Sequence, residues 1–96
     1  MNYRFLEPAK SELVEAIDFY NRQKNNLGSE FFREVERGIK QILRNPRAWQ
    51  ELSKNTRRCI VKRFPFGLIY QIREKEILIV AVMHLKRKPG SWKGRI

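Results

Sequence analysis

The 96-residue sequence holds one cysteine, Cys59, and one histidine, His84. A lone cysteine excludes an intrachain disulfide and leaves no pair for a cysteine-built metal cage, so a reducing compartment is expected. Its place between Arg58 and Ile60 reads as a half-buried strand position. The alternative, a catalytic thiol, lacks an accompanying Cys/His motif. No apolar segment approaches the roughly 20 residues of a membrane span. The opening MNYRFLEPAKSE lacks the apolar run of about 7–15 residues that a signal peptide needs, and it carries acidic residues early. A cytoplasmic protein with no membrane contact is therefore expected. No internal repeat, low-complexity tract or cofactor motif appears, and neither a metal nor a cofactor is expected.

Negative charge is also scarce. Ten Asp+Glu stand against 21 Lys+Arg, leaving a formal charge of +11. That excess is larger than solubility requires, and a polyanion or an acidic protein is the partner it predicts. Hydrophobic content of 42% with six Phe suffices for one small core, so residues 1–96 read as a single domain.

Tyr3 and Phe5 alternate with polar neighbours as in a short strand, and Glu7–Pro8 starts the next element with proline in the first turn of a helix. Ala9, Leu13, Ala16, Ile17 and Tyr20 recur at offsets of three and four, predicting an amphipathic helix that leaves Lys10, Glu12, Glu15 and Asp18 solvated. Asn25, Asn26 and Gly28 end it, and Ser29 is the expected N-cap of a second helix. That helix buries Phe32, Val35, Ile39, Ile42 and Leu43, with Phe31 at its edge, and stops at Asn45–Pro46. Residues 8–45 therefore form a helix hairpin.

A polar connector over 47–56 follows, pinned by Trp49 and Leu52. Three strands are then predicted, Arg57–Arg63, Phe66–Arg73 and Glu76–His84, joined by links short enough for an antiparallel meander over 57–84. Residues 85–96, with Pro89, Gly90 and Gly94, form an irregular basic tail along the surface. The expected fold class is α+β, in the order β-α-α-β-β-β, with the hairpin on a small antiparallel sheet and the first strand added to one edge.

An ordered set of motifs runs through this frame. It comprises E-P-A-x-x-E-L (Glu7 to Leu13), Phe19–Tyr20, G-x-x-F-x-x-E-V (Gly28 to Val35), R-F-P-F-G-L-I-Y (Arg63 to Tyr70), I-x-I-V-A-V-M-H (Ile77 to His84) and R-x-P-x-x-W-x-x-R (Arg87 to Arg95). Together they resemble the RelE/ParE toxins of type II toxin–antitoxin modules. The resemblance implies a growth inhibitor held inactive by a cognate antitoxin whose carboxy-terminal segment wraps it, in a toxin–antitoxin hetero-oligomer. It also implies one of two targets: RelE-like members are ribosome-dependent mRNA endonucleases, and ParE-like members poison DNA gyrase.

Metal-free RNA cleavage through the 2′-hydroxyl needs a proton acceptor, cations for the phosphorane and a proton donor for the leaving oxygen. His84, Arg87 and Arg58 are the candidate catalytic residues for that chemistry, with Glu51 or Tyr70 as a second proton carrier. Arg57, Lys62, Arg63, Lys86 and Arg95 are candidates for target or phosphate binding. Trp92 either folds back onto the sheet or anchors the antitoxin. Two features separate this chain from RelE-like nucleases: Gly67 stands where they carry an Arg before the L-[IV]-Y strand, and Ile60 replaces one of their paired lysines. The long hairpin and the His84-x-x-Arg87 ending resemble the ParE branch, which is the favoured reading. Outside the family, a non-catalytic nucleic-acid-binding domain remains a third reading, although the order of elements differs from the double-stranded RNA-binding fold and the aromatics lack RRM spacing.

Overall fold

The computed structural model describes residues 1–87 and 90–96; Lys88 and Pro89, both in the tail, lie outside the described residues. The elements are β1 (Asn2–Phe5), α1 (Glu7–Gln23), α2 (Leu27–Arg44), β2 (Gln50–Ser53), β3 (Thr56–Ile60), β4 (Phe66–Ile72), β5 (Glu76–His84) and a 3-10 turn at Lys93–Arg95. The strands form one sheet in the order β1-β5-β4-β3-β2. β1 runs parallel to β5 at the edge where it was expected, and every other pair is antiparallel. The sheet is therefore mixed, because the chain leaves β1 through a helix hairpin and returns from the far side.

β2 corrects the polar connector expected over 47–56. Its sequence, QELS, has a single apolar residue and lies on an exposed edge, so it carries no period-2 signal. What makes it a strand is the tight turn at Lys54–Asn55, with Asn55 in the left-handed region (φ 55°). The Asn55 side chain also donates to the carbonyl of Ile72 at 3.1 Å, tying the turn to β4.

α1 begins with Pro8 in its first turn and buries Ala9, Leu13 and Ala16. The second helix starts at Leu27, two residues before the expected cap at Ser29. Asn26 precedes it in the left-handed conformation (φ 69°) with no side-chain cap of its own. An α1 residue fills that role: Asn21 Oδ1 accepts the free N–H of Gly28 at 2.8 Å. The approach is so close that a Cβ at Gly28 would lie 2.4 Å from the Ile17 carbonyl oxygen. Facing is also corrected in α2, where Phe31 is fully buried and Phe32 exposed. Phe31 shares the i, i+4, i+8 stripe of Val35 and Ile39 and packs against Tyr20, Phe64 and Phe66.

The core lies between the hairpin and one sheet face, built on Phe31, Val35, Ile39 and Ile42 against Cys59, Leu68, Tyr70, Ile77, Ile79 and Val82. A second, smaller cluster occupies the face that the helices leave open, where Ile69, Leu78, Val80, Ala81 and Met83 are covered by Trp92 from the tail and by Leu6. A bulge opposite Ile69–Tyr70 lets Val80 and Ala81 both join this second cluster. No helix among the described residues is long and apolar enough to cross a membrane.

Candidate functional site

Strand pairing sets the side of the sheet on which each flagged residue works. Arg58 pairs with Ile69, and Ile69 belongs to the helix-free cluster, so the Arg58 side chain rises on that open face. Gly67 is its diagonal neighbour on β4, and the stem of Arg58 lies directly over it: a Cβ at Gly67 would meet Cγ and Cδ of Arg58 at 3.0 Å. One guanidinium nitrogen donates to Gln50 Oε1 on β2 at 3.2 Å, while Nε is buried without an acceptor.

β5 delivers His84 to the end of the sheet, opposite Phe66 and in edge-to-face contact with its ring at 5.3 Å. The turn that follows closes with Arg87 N–H donating to the His84 carbonyl, and the N–H of Lys86 donates to His84 Nδ1 at 3.0 Å. That leaves Nε2 as the ring nitrogen open to a ligand.

Arg58, His84, Arg87 and Lys93 rim a cleft of about 230 Å³ on the open face. Ile69, Met83 and Trp92 line it with Leu52 and Leu85. A second recess of about 160 Å³ lies on the helix side of the same strand end, where His84 and Arg87 meet Glu12, Glu15 and Phe66. The three candidate catalytic residues, Arg58, His84 and Arg87, thus converge on one cleft, which Trp92 also lines. Lys62 and Lys86 are exposed nearby in sequence but do not line it.

The remaining flagged cations are committed inside the fold. Arg57 donates to the carbonyls of Arg47 (3.1 Å) and Trp49 (2.8 Å) and lies 3.5 Å from Glu51, stitching the connector to β3. Arg63, in the left-handed region at φ 73°, pairs with Glu30 at 2.8 Å and approaches Glu34 at 3.7 Å, clamping the β3–β4 turn to α2. The Arg63 guanidinium holds the Glu30 carboxyl below its ordinary range. Arg95 makes two 2.8 Å bonds to Glu12 and a 3.0 Å bond to the Val80 carbonyl, and its pKa is raised by Glu12. Arg57, Arg63 and Arg95 thus each hold acceptors within the fold.

Glu12, which the sequence reading placed in solvent, is held within the fold. Its side chain is only 13% exposed. Besides Arg95 it accepts the N–H of Val82 at 3.0 Å, and Arg87 lies 3.8 Å away. β1 pairs with β5 only as far as Ile79, so the Glu12–Arg95 pair supplies the acceptor and donor that a neighbouring strand would have given Val82 and Val80. A signal was present: Glu12 sits three residues after Ala9 and four before Ala16, on the buried stripe itself.

The two proposed second proton carriers are also placed. Tyr70 is fully buried, donates to the carbonyl of Pro46, and burial pushes its hydroxyl up to about 12. Glu51 is exposed and paired with Arg57 across β2–β3. Trp92 folds back: it is 4% exposed against the open sheet face. Cys59 is buried in the main core, with its thiol pushed up to about 11 by desolvation, which suits packing and not nucleophilic attack. Among the described residues no group of three or more His, Cys, Asp or Glu side chains is arranged to hold a metal ion.

Fold and cleft together define a small basic α+β domain, with a helix hairpin on one sheet face and a cation-rimmed cleft on the other. Residues 3–89 match the family model of the ParE toxin of the type II toxin–antitoxin system, parDE. The chain belongs to that family. Among solved structures it is similar to one described as the chromosomal ParDE TA system from P. aeruginosa, with a TM-score of 0.76 and 18% identity, over 88% of this chain and 95% of that one. That likeness carries the fold. No curated protein sequence matches the chain.

Proposed function

We propose that this ParE-family chain inhibits growth by binding, with DNA gyrase as the protein it blocks and a cognate antitoxin as the partner that restrains it. The observation that carries this reading is that Tyr70 and Glu51, the side chains expected to partner His84 as second proton carrier, are held by other parts of the fold. Cleavage through a 2′-hydroxyl calls for two proton carriers and spare cations. Tyr70 is locked in the core, Glu51 is paired with Arg57, and Glu12 is held by Arg95 and the Val82 amide. Gly67 adds no cation, because the stem of Arg58 fills the space above it.

The convergence of Arg58, His84 and Arg87 on one cleft favours the second reading, a RelE-like mRNA endonuclease. Two assays with purified protein separate them. Inhibition of gyrase supercoiling without cleavage of mRNA on a programmed ribosome is the expected result; site-specific mRNA cleavage with gyrase unaffected reverses the order. Binding to any RNA or DNA with steep salt dependence, and no toxicity on expression, would instead mark a simple nucleic-acid-binding domain.

A further inference from the structure

We infer that the cleft on the helix-free face takes an acidic protein segment that inserts one large aliphatic side chain between its carboxylates. The inference deepens the binding reading above and rests on it, since it specifies what the basic edge recognises.

Size and lining give the anchor. About 230 Å³ accommodates one large side chain, and the walls at Ile69 and Met83 are apolar. Leu52 and Leu85 at the mouth remain 36% and 41% exposed, so an aliphatic group seated there removes apolar surface from water on both sides.

The rim gives the charge. Arg58 is bonded only to the neutral side chain of Gln50 and keeps a buried Nε with no acceptor, which a carboxylate can satisfy after a small shift of the guanidinium. The carboxylate nearest Arg87, Glu12 at 3.8 Å, is already saturated by Arg95 and the Val82 amide. Lys93 has no carboxylate within 4.0 Å among the described residues. Three cations around an apolar well call for anions spaced about an apolar centre.

A peptide fits this better than a nucleic acid does. Single-stranded nucleic acids are held by stacking bases on exposed aromatic faces. The one aromatic ring among the cleft's apolar walls, Trp92, is 4% exposed and spent on the sheet. Gly67 contributes by leaving room for the stem of Arg58 to lie flat beside Leu85, which keeps the mouth open.

The test is anisotropy titration of the full chain with a labelled, capped nonapeptide that carries a central leucine, two glutamates on either side, and serine elsewhere. Saturable binding is expected, weakened about tenfold by alanine in place of the leucine and about tenfold by Arg58→Gln or Arg87→Gln. Lys75→Gln, at the β4–β5 turn, should leave it unchanged, and circular dichroism checks that each variant is folded. Three results overturn the inference: no saturable binding, equal binding of the leucine and alanine peptides, or a ten-nucleotide RNA or DNA that competes more tightly than the peptide. The supercoiling assay reads the target and this titration reads the cleft, so either can fail without the other.

Discussion

Replacing Glu12 or Arg95 tests whether the carboxy-terminal tail is a working part of the fold or a free basic arm. The pair is bidentate, with both contacts at 2.8 Å, and its side chains are 13% and 21% exposed. A fully exposed ion pair contributes about 0–1 kcal/mol. Removing one partner of a fully buried pair costs about 3–5 kcal/mol, because the other charge is left stranded. With this partial exposure, Glu12→Gln should fall between these limits, at about 2–3 kcal/mol. Part of that cost arises from weakening the acceptor of the Val82 amide, since a neutral amide oxygen bonds less strongly than a carboxylate.

Arg95→Gln should cost somewhat less, about 1–2 kcal/mol, because Glu12 keeps the Val82 amide and regains water. At roughly 4–8 °C per kcal/mol for a domain of this size, Glu12→Gln should lower Tm by about 10–20 °C. Urea denaturation of the two single variants and the double variant gives the coupling, expected at about 1–2 kcal/mol, since the residues share one set of bonds. Trp92, three residues earlier in the same tail and bonded through its carbonyl to the Arg95 N–H, should lose burial, with its emission shifting to the red. Additive single effects, or Tm changes below about 3 °C for both variants, would refute the latch. Arg95 would then return to the list of target contacts.

Other expectations follow from the same contacts. Gly28→Ala should cost about 2–3 kcal/mol in urea denaturation, because the new methyl meets the backbone carbonyl of Ile17 and cannot be relieved by a side-chain rotation. At alkaline pH the sign is set by raised values: Cys59 and Tyr70 rise from 9.0 to about 11 and from 10.0 to about 12. Their contribution is complete below pH 9, declines above it and is lost as pH rises through the folded values. Tyr70→Phe should remove the upper part of that decline in denaturant titrations between pH 8 and 12; an unchanged alkaline limb counts against burial of the Tyr70 hydroxyl as its cause. Glu30, depressed by Arg63, acts in the opposite window, with its contribution present above the ordinary 4.5 and lost as pH falls through its lower folded value. Thermal melts of wild type and Glu30→Gln should differ at pH 7 and converge in acid.

Much of the frame was legible because it depends on local periodicity. The stripe of Ala9, Leu13 and Ala16, the near-continuous apolar runs of β4 and β5, and Pro8 at a helix start all place elements without knowledge of their partners. β2 was illegible because an exposed edge strand has no buried face to reveal itself, and its pairing comes from a turn two residues long. The exchange of Phe31 and Phe32 has a different cause. Two adjacent aromatics fit either of two stripes, and the choice is made by Tyr20, Phe64 and Phe66, which arrive from other elements.

The site shows the same division. Arg58, His84 and Arg87 were legible as charges bordering strands, and register then brought them to one cleft. Which basic residues are free was not legible, because their partners lie far away in sequence: Glu12 for Arg95, and Glu30 for Arg63. A charge count cannot separate a cation that clamps a turn from one that waits for a ligand.

Gly67 illustrates how far that distinction reaches. By sequence it is a cation missing from a cleaving set. In the fold its bare Cα is the floor on which Arg58 lies, and a side chain there would press on Cγ and Cδ at 3.0 Å. A side chain at 67 would therefore require the stem of Arg58 to give by a few tenths of an ångström. The cleft holds its rim of cations because glycine lets β3 supply what β4 does not, and the same arrangement leaves an apolar well between them. A surface built this way is suited to hold an anionic segment with an apolar centre, while Tyr70, Glu12 and Glu51 are engaged in holding the fold together.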